Sequence, residues 1–179
     1  MLAWNDWYLL LCLILPSLGL MKPKVYIETS IPSFYVETRT SPEAVARREW
    51  TRRWWHLESP NYELFTSEAV YAEMAQTPEP KRQMCIAFLD VLAVLPIEAE
   101  IASIVEAYVT HKIMPNNGLG DALHLAIASY YECDFLLTWN CKHLANANKF
   151  KHIERINVKL DLFVPKLITP LELLGEHYE

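Results

Sequence analysis

Glycine is scarce in this chain, with four among 179 residues, while 52% of residues are hydrophobic. That balance excludes collagen-like, low-complexity and disordered classes. No Gly/Ser-rich linker and no internal repeat divides the sequence, and its length suits one domain with a sizeable core. Cysteine is sparse too. Cys12, Cys85, Cys133 and Cys141 form no C-x-x-C pair and no Cys/His spacing suited to zinc. They read as free thiols in a reducing cytosol. Basic charge is also lacking: the net charge is -6 and the pI about 5.5. A general nucleic-acid coat protein would be basic, because phosphate neutralisation supplies its affinity. An acidic chain can still act on phosphates, since carboxylates that hold metal ions lower the net charge while a local basic patch holds the substrate.

The longest apolar run, Trp7 to Leu20 (WYLLLCLILPSLGL), contains Pro16 and is preceded by a single charge, Asp6. It is short for a membrane span of about 20 residues and lacks the positive start of a signal peptide. Met21 then opens MKPKVYIETS, an ordinary start followed by a strand. Residues 1–20 are therefore read as an extension outside a domain spanning 21–179, with no stable membrane association and a cytoplasmic location.

From there, strand and helix patterns alternate. KVYIE at 24–28 is a buried strand ending at a Thr-Ser turn. Ser41 and Pro42 open a helix to Leu57. YELFT at 62–66 is a strand, followed by a helix capped by Ser67 and running to about Ala75. A helix from Pro78 or Pro80 to Leu89 leads to a strand within 91–97. Residues 98–112 are helical, MPNNG is a loop, and Leu119 to Tyr131 is strongly helical. DFLLT at 134–138 is a fourth strand, with a helix expected over 142–148. A weak fifth strand is expected near 155–158, and a short helix over 171–174. Alternation of this kind predicts an α/β fold with helices on both faces of a parallel sheet of four to five strands. Ligands gather at the carboxyl ends of such strands.

Three acids fall where that edge would be. Glu28 directly follows Val25-Tyr26-Ile27, and a carboxylate there is costly unless it faces a cleft or a cation. Glu73 lies in the largely apolar helix after the second strand. Asp121 follows Gly118-Leu119-Gly120 at the start of DALHLAIA, where capping and the helix dipole also suit it. Asn140, after the fourth strand, offers a neutral oxygen or a turn-forming side chain. Hard cations such as Mg²⁺ and Mn²⁺ take oxygen ligands. A bound cation lowers the pKa of water and stabilises a leaving oxygen in phosphodiester cleavage.

VYIETSIPSFY at 25–35, TSEAVYAEM at 66–74, GDALHLAIA at 120–128 and LLTWNCKHL at 136–144 together resemble the PIN-domain ribonucleases, especially the toxin subunits of VapBC-type toxin–antitoxin pairs. The resemblance runs from about Lys24 to Leu173 and rests on the order and spacing of the four motifs. It implies a three-layer α/β/α fold and a metal-dependent endoribonuclease that uses Mg²⁺ or Mn²⁺. It places Glu28, Glu73 and Asp121 as metal ligands and Asn140 beside them, and it suggests that Thr29 or Ser30 helps orient the site. An RNA substrate, an antitoxin protein and a homodimer are the implied partners. Two departures stand out: Glu28 replaces the usual Asp, and Asn140 is neutral where Asp is frequent. A PIN domain that only binds RNA or protein is the alternative. A haloacid-dehalogenase-type phosphatase needs a nucleophilic Asp with a second Asp two residues on, which Glu28-Thr29-Ser30 does not supply.

Other residues carry two readings each. His124 shares a helix face with Asp121 and could approach a metal or phosphate, or pack within the core. Thr138 stands beside Asn140 as a further auxiliary candidate, and His143 reads as a surface or capping residue. RREWTRRWW at 47–55 could be an amphipathic helix with Trp50 and Trp54 inward. It could also contact RNA, or form a docking groove for a partner segment, which the resemblance favours.

Overall fold

The computed structural model describes residues 21–114 and 119–175. The extension at 1–20 and most of the MPNNG loop lie outside the described residues. The element order is β1 (Lys24–Ile27), α1 (Ser30–Tyr35), α2 (Pro42–Leu57), a 3₁₀ turn (Ser59–Asn61), β2 (Glu63–Ser67), α3 (Glu68–Met74), α4 (Lys81–Leu89), β3 (Ala93–Leu95), α5 (Ala99–Thr110), α6 (Leu119–Tyr130), β4 (Phe135–Leu137), α7 (Ala147–Lys159) and β5 (Lys166–Ile168).

All five strands are parallel, in the order β3-β2-β1-β4-β5. Parallel neighbours cannot be joined by tight turns, so each crossover contains helix. The central strand explains its own sequence. Val25, Tyr26 and Ile27 are fully buried, and a strand covered on both faces reads as a continuous apolar run. Ile27 pairs with Leu137 and Tyr26 with Phe65, so β1 lies between β2 and β4. The chain progresses outward from β1 to β2 and β3, then returns to the other side for β4 and β5. This makes the carboxyl ends of β1 and β4 a topological switch point, where loops diverge and leave a crevice.

α2 begins as its sequence dictates: Ser41 accepts a hydrogen bond from the Ala44 amide, and Pro42 takes the first helical position. Its Trp54 is fully buried, and Trp50 is partly buried against the core. Across the sheet, α5, α6 and α7 are tied by a buried polar triangle. Tyr108 donates to Asn157 Oδ1 at 2.8 Å and shares a 3.1 Å hydrogen bond with the Ser129 hydroxyl, and Asn157 Nδ2 donates to Ser129 at 2.9 Å.

Four expectations are corrected. The Thr-Ser turn after β1 leads at once into a helix, α1. Residues 141–145 are turns, and helix begins only at Ala147, capped by the Asn146 side chain. The strand expected near 155–158 is helical: Ile153, Ile156 and Asn157 are the buried side of α7. The last strand is instead Lys166–Ile168. Residues 170–173 form turns rather than a helix, held by Glu172 accepting from the Thr169 amide and hydroxyl. No described helix is long and apolar enough to cross a membrane.

Candidate metal centre

Three elements, β1, α3 and α6, carry the acidic residues, and the loop after β4 carries Asn140. Glu28 is the residue after β1, and its amide still bonds to the Leu137 carbonyl at 3.2 Å. It is 6% exposed, so an ionised carboxylate there needs partners. Three donors meet at its Oε2: the Ser30 hydroxyl, the Ser30 amide at 3.0 Å and the Thr138 hydroxyl at 2.8 Å. The Ser30 Oγ also accepts the Trp139 amide at 2.7 Å, and Thr138 Oγ1 accepts the Asn140 amide at 2.9 Å. Ser30 and Thr138 thus hold Glu28 and tie the β1 and β4 loops together.

Glu73 comes from the last turn of α3. Its Oε2 accepts from the Thr29 hydroxyl, and its Oε1 lies 3.3 Å from His124 Nε2. Asp121 comes from the first turn of α6, where its Oδ1 accepts from Asn140 Nδ2 at 2.8 Å. Asn140 in turn accepts the His143 amide at 3.1 Å through Oδ1. The neutral Asn140 therefore clamps Asp121 to the β4 loop, and an Asp at 140 could not donate this bond while ionised.

Ligand atoms of Glu28, Glu73 and His124 all lie within 4.8 Å of one another, a spacing that could hold a metal ion. His124 is buried, and its Nδ1 is 2.8 Å from the Tyr26 hydroxyl, which is 2.7 Å from Ser67 Oγ. This line of three buried groups sets the imidazole's orientation from behind. Tyr26 and Ser67 carry no sequence signal for that task, because each reads as an ordinary strand residue. Gly120 is a further missed residue. A Cβ there would meet Glu73 Oε1 at 2.7 Å, so the glycine leaves room for the carboxylate.

The charges are coupled. Burial pushes the Asp121 carboxyl up, with Glu73 adding to the rise and His143, His124 and Asn140 opposing it, and the net value is raised. Burial also works against an ionised Glu73, but hydrogen bonds from His124 and Thr29 and the His124 charge prevail, leaving it lowered. His124 is the counterpart: burial pulls it down, yet Glu73, Glu28 and Asp121 prevail and raise it. A cation at this point relieves like-charge repulsion among the acids.

The donor set, two carboxylates and one imidazole, fits a divalent metal ion. No protein-family model and no curated protein matches the sequence. Solved structures do match. The VapBC2 complex of Rickettsia felis bound to a promoter DNA fragment is 16% identical, covers 82% of this chain and 98% of its own, and gives a TM-score of 0.54. VapC20 of Mycobacterium tuberculosis, described as a sarcin-ricin loop cleaving toxin, is 14% identical with coverages of 66% and 92% and a TM-score of 0.52. A toxin–antitoxin complex from Klebsiella pneumoniae is 18% identical with coverages of 82% and 97% and a TM-score of 0.51. The chain has the PIN-like fold. At these identities the likeness is one of architecture.

Proposed function

We propose that this chain is a metal-dependent ribonuclease that hydrolyses RNA phosphodiester bonds as the toxin of a toxin–antitoxin pair. What supports this reading is that Glu28, Glu73 and His124 bring ligand atoms within 4.8 Å of one another at the switch point of a PIN-like sheet, while Asp121, outside that group, is held by Asn140 and interacts electrostatically with Glu73 and His124. Glu28, Glu73 and Asp121 hold Mg²⁺ or Mn²⁺, which supplies water activation and charge stabilisation when bound. Ser30 and Thr138 fix Glu28, Asn140 fixes Asp121, and Thr29 fixes Glu73. His124 remains within reach of the same point through its contact with Glu73. An antitoxin partner, a homodimeric state and a cytoplasmic location belong to the same reading. Asp121→Asn should abolish Mn²⁺-dependent RNA cleavage while its melting temperature stays close to wild type; unchanged cleavage would refute the assignment.

A second reading has one observation in its favour. An imidazole of the protein itself, His124, lies 3.3 Å from Glu73 at the point between the acids, and against the pull of burial the acids raise its pKa. On that reading the chain is a PIN-like module that binds RNA or a protein without cutting. Calorimetric titration with Mn²⁺ separates the two, since a module of that kind gives no heat that Glu28→Gln removes.

A further inference from the structure

Trp139, whose amide donates to Ser30, also forms part of a cationic platform that the metal centre does not use. Arg47, on α2, places its guanidinium carbon 5.3 Å from the Phe34 ring centroid and 5.6 Å from that of Trp139. Phe34 and Trp139 meet edge to face at 6.2 Å, and Trp50 stacks on Trp139 at 5.9 Å. Trp139 is locked by its indole N–H, which donates to Thr51 Oγ1 at 2.8 Å. Aromatic faces orient a guanidinium and leave its charge uncancelled.

The other cationic side chains near it are engaged. Arg39 pairs with Glu37, Arg48 with Glu49, and Arg52 donates to the Tyr35 carbonyl. Among the described residues Arg47 has no carboxylate within ion-pair distance. It lines a pocket of about 130 Å³ with Phe34, Arg39, Ser41, Glu43 and Ala44. The positive end of the α2 dipole faces the same place. Glu43 is the one opposing charge. So small a pocket suits a group the size of a phosphate rather than a nucleoside.

The platform is joined to the metal centre by covalent neighbours. Trp139 stands between Thr138, which bonds to Glu28, and Asn140, which bonds to Asp121, and its amide donates to Ser30. Phe34 is one helical turn beyond Ser30 on α1. We infer that Arg47 is a positioning residue that holds a backbone phosphate flanking the scissile one in single-stranded RNA. The inference rests on the ribonuclease reading above and adds the direction in which the RNA leaves the acids.

The test compares wild type with Arg47→Met, which keeps an apolar stem over the rings, and with Arg47→Lys, which keeps the charge. Binding of a short fluorescein-labelled single-stranded RNA in EDTA is followed across a salt series, with melting temperatures recorded alongside. Arg47→Met should weaken binding roughly tenfold at low salt and lower the slope of log K against log salt by about 0.7, the share of one phosphate contact on a single strand. Arg47→Lys should restore the slope. With Mn²⁺ present, Arg47→Met should raise KM more than it lowers kcat. Unchanged affinity and slope in Arg47→Met, beside a wild type that binds RNA, would overturn this inference alone and leave the platform to a protein partner. A wild type that neither binds nor cleaves RNA would overturn the ribonuclease reading and this inference together.

Discussion

Gly120→Ala isolates the working oxygen of Glu73 from the stability of the fold. The new Cβ would stand 2.7 Å from Glu73 Oε1, where ordinary contact begins at 3.4 Å, so the oxygen must retreat by about 0.7 Å. Glu73 can make this move, because its side chain is 40% exposed and the clashing atom is the end of a flexible chain. The helix itself gains from the change, since Gly costs roughly 0.5–1 kcal/mol against Ala in a helix. The melting temperature should therefore hold or rise by about 2–4 °C at most. Function should move the other way. A displacement approaching 1 Å in a positioned group can cost about 10²-fold in rate, so Mn²⁺-dependent RNA cleavage should fall by one to two orders of magnitude. Scanning fluorimetry and single-turnover cleavage across a Mn²⁺ titration measure both effects. Wild-type metal affinity and rate in Gly120→Ala would refute the role given to Glu73 Oε1. A large drop in melting temperature would refute the claim that the carboxylate can yield.

Two further perturbations address the residues behind the site and the loop beside it. Tyr26→Phe removes the hydroxyl shared by Ser67 and His124 inside the core, leaving two buried groups short of a partner. It should cost about 1–3 kcal/mol in urea unfolding, and an unchanged midpoint would count against the relay. Glu37, buried at the end of α1, accepts from the Thr38 and Arg39 amides, from the Arg39 guanidinium at 2.8 Å and from Lys81 at 3.4 Å. The Arg39 contact leads in lowering its carboxyl from 4.5 to about 2. A lowered folded value means stability that is present above about pH 4.5 and lost as the pH falls toward 2. Because Arg39 is 68% exposed, screening reduces the contribution to about 1–2 kcal/mol. Glu37→Gln should flatten that acid limb in unfolding titrations, and an identical limb in both proteins would refute the assignment.

Much of this architecture is legible before any coordinates. β1 announces itself because a strand buried on both faces must be apolar throughout, and α2 because Ser41-Pro42 satisfies its first turn locally. Glu28 and Asp121 are legible for a related reason: a charge at the end of a buried run stands out. The misread segments are those where local and tertiary forces diverge. Ile156-Asn157-Val158 looks like a strand, yet Ile153, Ile156 and Asn157 are buried at helical spacing and the turn of α7 wins. α1 is short and contains Pro32, so nothing in its propensity marks it; Ile31 and Pro32 are held by burial. β5 is three residues long and is defined by pairing with β4. The linkage of His124 to both Tyr26 and Glu73 joins residues far apart in sequence, and only packing reveals it.

The strand order also sets a schedule. β1 emerges first during synthesis but needs β2 on one side and β4 on the other. Glu28 and Glu73 are made early, while Asp121, Asn140 and the β4 hydroxyl of Thr138 arrive only with the second half of the chain. Until Phe135–Leu137 inserts beside β1, Glu28 lacks one of its three donors and Asp121 lacks its clamp. An unfinished chain on a ribosome therefore lacks the Thr138 bond to Glu28 and the Asn140 bond to Asp121. For a protein proposed to cut RNA, late insertion of one central strand keeps the centre incomplete while the chain that carries it is still being read.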